Sequence, residues 1–408
     1  MIELNKCKFG GITMSIKDIA SKQQDTMVET RRYMHMNPEV SFEEVKTYEF
    51  ILDKLKQYDG LKIRENVGRN DVVSGKGLFA TFGEGHPHIA FRADFDALPI
   101  VDQKDVPYKS QNEGAMHACG HDGHTSTLLA LVDVVSKVQD KLKGSVSFIF
   151  QFGEERAPGG AKFMVEDGIL DDVDKVYGQH YWSQFKTNEI RTRSGALISS
   201  PDTFLVKIKG KGGHAAHPAN NVDAIVIAAE MIMNLQTAVA RQISPIDNAV
   251  VTIGKVSGGS TFNVMPDVVE FEGTVRTFEP AVKQKIKEIF ELEVEYTAKK
   301  RGAVGTLTYI EGYPAVVNHE EEAKVVEQAA KDLGLEFVEA TPSMIGEDFS
   351  VYVQERPGAF FYTGSGNENK NSTFAHHHEN FDLDEDAMNS ALQMFMKIIE
   401  LEDVVSWT

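Results

Sequence analysis

What the chain lacks narrows the field before any motif is read. It has only 2 cysteines in 408 residues, so a disulfide-stapled scaffold is excluded, and Cys7 and Cys119 can form one bridge at most. Basic residues are short: 42 Lys and Arg stand against 61 Asp and Glu, a net charge of −19 that repels nucleic-acid phosphates and anionic membranes. Met1 to Ile16 contains Lys6 and Lys8 but no unbroken apolar core, so neither a signal peptide nor a membrane span is expected there, and the expected location is the cytoplasm. Residues 1–14 carry too little pattern to assign a role. No Gly-x-Gly-x-x-Gly follows the first strand, which argues against a nicotinamide enzyme. Repeats and low-complexity tracts are missing as well.

What is present is ordinary globular material, 42% apolar with 33 Gly and 13 Pro, in a chain too long for one hydrophobic core. A helix is expected from Ile16 to Met36, ended by Asn37-Pro38. A second is expected from Ser41, with Glu44 completing a capping box and Tyr48, Leu52 and Leu55 on its apolar stripe. Strands are expected over Gly75–Phe82 and from His88 to Phe91, the latter running into Arg92-Ala93-Asp94-Phe95-Asp96. A helix over Thr125–Leu142, stopped by Gly144, and a continuous apolar strand over Ser145–Phe152 follow. That strand ends in Gly153-Glu154-Glu155, and the next, Lys175–Gln179, ends in His180. Polar groups at the ends of buried strands are where open α/β sheets place their sites.

From Ser194 to Pro314 the pattern changes to β-α-β-β-α-β, with Phe204, Val206 and Ile208 alternating with polar neighbours, which fits a ferredoxin-like unit inserted into the α/β fold. The expected division is therefore 15–193 and 314–408 for an α/β domain with a mostly parallel sheet, and 194–313 for the inserted α+β domain.

The chemistry is concentrated in Met116-His117-Ala118-Cys119-Gly120-His121-Asp122-Gly123-His124. No packed core requires so dense a run of thiol, imidazole and carboxylate, and the stretch reads as half of a metal site. Glu154-Glu155, His180 and the triplet His376-His377-His378 offer the other half. Each is weak by itself: paired glutamates in an acidic chain, Glu43-Glu44 and Glu320-Glu321-Glu322 among them, are usually solvated, and a lone buried histidine is usually a core residue. Their joint occurrence at the ends of strands and helices of one domain makes metal binding the expectation. Adjacent glutamates also suit amide hydrolysis, where one can hold a metal while the other moves protons.

These segments, together with Gly210-Lys211-Gly212-Gly213-His214, Phe262-Asn263-Val264-Met265-Pro266, Gly273-Thr274-Val275-Arg276-Thr277 and Gly346-Glu347-Asp348-Phe349, resemble in order the motifs of the M20 metallopeptidases. The closer resemblance is to the amidohydrolase branch with hippurate hydrolases, N-acyl-amino-acid amidohydrolases and auxin-conjugate hydrolases. It spans roughly residues 30 to 400. The resemblance implies a catalytic domain holding two divalent ions, Zn or Mn first and Co or Ni as further candidates, interrupted by a lid domain that also dimerises. It implies Cys119, as a bridging thiolate, His121, Glu155, His180 and one histidine of the C-terminal triplet as metal ligands. His377 is chosen from the spacing to Phe381-Asp382 in the family's usual ending, with His376 and His378 left open. Glu154 is the implied general base and then acid. Asp94, Asp96 and Asp122 would orient ligands or serve structure alone. In the inserted domain, His214 would polarise the substrate carbonyl in a partner subunit's site, Arg276 would bind a substrate carboxylate and Asn263 would add a hydrogen bond. The expected reaction is hydrolysis of an N-acyl-amino acid, a related conjugate or a small peptide by a homodimer or higher homo-oligomer, with no nucleic-acid or membrane partner. A di- or aminopeptidase and a non-catalytic metal-dependent binding protein are the alternatives.

Overall fold

The computed structural model describes residues 7–9, 12–405 and 407, with side chains from Met14 onward. The Cys7 side chain lies outside the described ones, and Cys119 is a buried free thiol. Two compact units form: Met1–Leu197 with Val316–Thr341 and Asp348–Thr408, and Ile198–Ala315 with Pro342–Glu347.

The first unit is built on an eight-stranded sheet in the order Glu336–Glu339, Glu189–Thr192, Gly358–Gly366, Lys175–Lys186, His88–Asp94, Ser145–Gln151, Gly77–Gly83, Lys62–Val67. Its centre is parallel: Gly358–Gly366 on Lys175–Lys186, and His88–Asp94 on both Lys175–Lys186 and Ser145–Gln151. All seven residues of His88–Asp94 and of Ser145–Gln151 are buried, as strands covered on both faces must be. The helices Ile16–Met36, His121–Ser136 and Asp386–Leu401 pack on one another. The first is closed by a capping box between Ser15 and Asp18.

The second unit is the β-α-β-β-α-β arrangement anticipated from its alternation, with strand order Ala249–Gly258, Val268–Thr277, Ser200–Lys209, Val304–Ile310, every neighbouring pair antiparallel. Helices Ala224–Gln242 and Pro280–Lys300 cover the sheet, enclosing Phe204, Val206, Met231, Phe271, Ile286 and Phe290. Asp223 caps the first of them by accepting from the N–H groups of Ile225 and Val226. That helix is long and apolar enough to cross a membrane. Within this unit, however, Ile227, Met231 and Leu235 pack into the core, and Glu230 pairs with Lys300 and Arg301.

Several expectations fail. The helix expected from Ser41 runs Val45–Leu55 without a side-chain cap, because Ser41 Oγ donates instead to Asp96 Oδ2 at 2.7 Å. Glu44 is not solvated: it is 5% exposed and accepts from Gly153 N–H at 2.8 Å, while Glu43 is exposed. Glu322 is likewise buried, paired with Lys175 at 3.1 Å. The helix expected over Thr125–Leu142 runs His121–Ser136. Its first turn is polar yet buried, so an apolar-periodicity reading starts it too late, and it stops before Gly144 is reached. The strand carrying His180 continues to Lys186, and Lys62–Val67, Glu189–Thr192, Gly195–Ile198, Val316–Asn318 and Glu336–Glu339 are further strands too short or too mixed to announce themselves.

Candidate metal centre

The parallel register sets the level of the site. Asp94 stands opposite Gln151, and Arg92 opposite Gly178, so the ends of three strands reach the same edge with His180 two residues further on. Gly120, at φ 95°, takes the left-handed turn that launches the helix from His121 and leaves Cys119 and His121 facing that edge; L side chains rarely adopt this backbone. Gly153, at φ 63°, turns the chain after the next strand, and a Cβ there would stand 2.3 Å from the Phe42 ring. Glu154 and Glu155 follow it.

The donor atoms converge. Cys119, His121 and His180 lie within 4.8 Å of one another, as do Cys119, Glu155 and His377, and His121, Glu154 and Glu155. Cys119 Sγ is 3.4 Å from His180 Nε2, His121 Nε2 is 3.8 Å from Glu155 Oε1, and His377 Nε2 is 3.4 Å from Glu155 Oε2. Among the described residues, His121 Nε2 and Glu155 Oε1 are buried without a hydrogen-bond partner, an arrangement that is costly unless something else satisfies them.

The rings are oriented from behind. His121 Nδ1–H donates to the backbone oxygen of Asp96 at 3.0 Å and to its carboxylate at 3.2 Å. His180 Nδ1–H donates to the Tyr181 carbonyl at 2.6 Å. Both Nε2 lone pairs are thereby turned toward the cluster, as metal-binding imidazoles require. His124 donates to Asp94 at 2.6 Å and accepts from Tyr181 N–H at 3.1 Å, which pins the strand that carries His180. Asp96 also receives Glu155 N–H at 3.0 Å. Of the three aspartates, Asp96 and Asp94 thus touch this cluster, while Asp122 faces His35 and Arg31.

The backbone separates the triplet. His376 is turned inward, and its Nε2–H donates to Tyr181 O at 2.9 Å. His378 Nδ1 accepts from Asn380 N–H at 3.0 Å, with its ring stacked on Phe374. His377, at φ 64°, is the one whose Nε2 faces Glu155.

Charge in the cluster fits a cation. Burial, then Glu155 and Glu154, pushes the Cys119 thiol well up. Burial opposes a proton on His121, but Asp94, Asp96 and Glu155 outweigh it and raise its pKa to about 10. Burial and the surrounding histidines hold His180 well below its usual value and His376 at about 3. A divalent ion would displace those protons, since it favours thiolate and neutral imidazole together. The thiol, imidazole and carboxylate donors fit such ions, and Cys119 belongs to both the inner set with His121 and His180 and the outer set with Glu155 and His377.

The other candidates lie in the second unit. His214, exposed, sits in the short strand Gly213–His214, paired with Val264–Met265, and its Nδ1 accepts from Ala216 N–H at 3.1 Å. Asn263 is exposed beside it, its carbonyl accepting from Ala215 N–H at 3.1 Å. Arg276 is on the strand Val268–Thr277, opposite Pro201 and Val250 and on the face away from buried Val269, Phe271 and Val275.

Sequence reading missed Glu44, His124 and the buried Arg31, His35 and Lys104. Only His124 carried a signal, as the last histidine of a stretch already singled out.

Comparison with known proteins points the same way. The family described as peptidase family M20/M25/M40 matches residues 90–401. An N-acetyl-L-cysteine deacetylase of Bacillus subtilis (strain 168) is 38% identical over 371 residues, 91% of this chain and 86% of that protein. An N-acyl-L-amino acid amidohydrolase of Geobacillus stearothermophilus is 36% identical over 306 residues, 75% of this chain and 81% of that protein. The crystal structure of the Bacillus subtilis YXEP protein, described as a dinuclear metal-binding peptidase from the M20 family, superposes with a TM-score of 0.80 at 34% identity, covering 94% of this chain and 100% of that one.

Proposed function

The chain belongs to peptidase family M20/M25/M40, and on that premise we propose that it hydrolyses the amide bond of N-acyl-amino acids or closely related amino-acid conjugates. The observation that supports this most is the convergence of Cys119, His121, Glu154, Glu155, His180 and His377 in overlapping sets of donors within 4.8 Å. Cys119, His121, Glu155, His180 and His377 are the proposed ligands of two divalent ions, and a mixed sulfur, nitrogen and oxygen set suits Zn or Mn, with Co and Ni compatible. When bound, such ions would supply Lewis acidity to the substrate carbonyl and acidity to an attacking water.

Glu154 then has the proton work. Held beside Glu155 and buried, it takes a proton from the attacking water and delivers it to the departing nitrogen, which leaves as the amine of a free amino acid. His214, Asn263 and Arg276 are the proposed substrate-binding groups. Arg276 offers a planar fork matched to a carboxylate, and such a carboxylate is present in every N-acyl-amino acid. We assign 15–193 and 314–408 to catalysis and 194–313 to a lid and dimerisation domain. Support for a homodimer comes from exposed Ile225, Val226 and Met233 on the helix Ala224–Gln242 and exposed Val250 and Val256 on the edge strand Ala249–Gly258, an edge and apolar face that a second copy would cover. A cytoplasmic location agrees with a thiol that must remain reduced.

The test is a panel of N-acetyl- and N-benzoyl-amino acids set against free dipeptides, run on chelator-stripped protein reloaded with Zn, Mn, Co or Ni, with the mass in solution read by light scattering. Hydrolysis of the acylated substrates is expected only after reloading, from a species of about twice the 45.3 kDa chain. Turnover by stripped protein, or cleavage of dipeptides alone, overturns the reading.

A further inference from the structure

Arg31 is fully buried in the helix Ile16–Met36 and contacts both loops that carry candidate ligands. Its Nε donates to Asp122 Oδ2 at 2.9 Å, and Asp122 immediately follows His121. Its Nη2 donates to Asp382 Oδ1 at 2.5 Å, in the loop just past His377. Asp122 is further held by His35 Nδ1–H at 2.7 Å, and its other oxygen caps Gly123 N–H at 2.9 Å. Asp382 is held by Tyr108 OH at 2.8 Å. Each carboxylate therefore has local partners of its own, and Arg31 is the side chain that bonds to both. Other ties between the loops include a backbone bond from His377 N–H to Ala118 O, the packing of Phe381 on Met116 and Ala118, and a relay in which Lys104 donates to His35 and to Phe381 O and pairs with Asp382 at 3.7 Å.

Orphaned or mismatched, a fully buried guanidinium is expensive, so a core does not hold one without cause. The two candidate triads depend on this bridge unequally. Cys119–Glu155–His377 draws Cys119 from one bridged loop and His377 from the other, whereas Cys119–His121–His180 takes nothing from the loop of Asp382. We propose that Arg31 is a positioning residue that sets the separation of the Cys119 and His377 loops, and so governs the affinity of the outer triad for its ion while leaving the inner triad nearly as it is. Lysine in its place reaches one carboxylate but lacks the fork that reaches both. The inference rests on the two-ion reading above.

Cobalt(II) titration of stripped Arg31→Lys tests it, followed by the near-ultraviolet thiolate-to-cobalt charge-transfer band, the visible ligand-field bands and bound metal per chain, with His377→Ala and His180→Ala as references that each impair one triad. Arg31→Lys is expected to bind one ion with near wild-type affinity and the other about 10- to 100-fold more weakly, reproducing the pattern of His377→Ala rather than that of His180→Ala. Two ions bound as in wild type, or both weakened alike, overturns the proposal. Should Arg31→Lys fail to fold by circular dichroism, Asp382→Asn removes the charged acceptor from the other end of the bridge and must show the same selective weakening. A wild type that binds a single ion sinks the two-ion reading and the proposal with it, whereas two ions in wild type with an unchanged Arg31→Lys titration sinks the bridge alone.

Discussion

The first unit buries Arg31, Arg92, Asp94, Asp96, Lys104 and Asp122 together with the histidines of its cluster, whereas in the second unit the charged side chains buried among the described residues are Asp202 and, at the end of its second segment, Glu347. Asp202 is fully engaged, by Tyr309 OH at 2.8 Å, Gly312 N–H at 2.9 Å and Lys283 at 2.9 Å. Around it the second unit folds on aromatic and branched aliphatic residues in an alternating pattern, so the same chain can build a core almost without ions. Each buried ion costs several kcal/mol to desolvate even after relaxation, on the order of the whole margin of stability. Charge collected in one unit and avoided in the other therefore marks where folding has been subordinated to chemistry.

Removing a group from the charged unit that folding does not need is the severest way to test this contrast. Glu154→Gln should lower kcat by ~10²-fold or more while bound metal per chain and the melting temperature stay at wild-type values. Normal turnover with metal bound would sink the assignment and leave the buried carboxylates without their explanation. A change in the second unit should instead act on binding. Arg276→Lys keeps the charge but loses the two-pronged contact, and should raise KM about tenfold while changing kcat much less; steady-state kinetics with an N-acetyl-amino acid reads the split, and a pure kcat effect contradicts it. The smallest effect concerns Glu44. Burial, then Asp96, pushes its carboxyl from 4.5 up to about 8, so the folded state prefers it protonated. The stability it contributes is therefore complete below pH 4.5 and lost as pH rises through about 8. In denaturant titrations of stripped protein, Glu44→Gln should match wild type near the lower end of that window and exceed it by about 1–3 kcal/mol at the upper end. Parallel pH profiles would show that Glu44 is not held as an acid.

Legibility in the sequence followed the same division. In the second unit, strand alternation and helical spacing are local signals, and they were enough to read β-α-β-β-α-β. In the first, local clustering made the Met116–His124 stretch and Glu154-Glu155 stand out, and their donor atoms do approach one another. What could not be read was whatever depends on a distant partner. Ser41 and Glu44 form a good local capping pattern, yet they bond to Asp96 and Gly153, because satisfying a buried carboxylate and a buried N–H outweighs a helix cap worth about 1 kcal/mol. Arg31 looks like one more polar residue on an amphipathic helix until Asp122 and Asp382 meet it. The start of the helix at His121 was hidden for a related reason: its first turn is buried against polar partners, and hydrophobic periodicity is blind to that.

One arrangement limits how the centre can be dissected. Because Cys119 sits in both triads, any substitution there is a double lesion, and its phenotype cannot be apportioned between the ions. His180 and His377 each belong to one triad, so a genetic dissection of the pair has to enter through the histidines and treat the thiol as their common failure point.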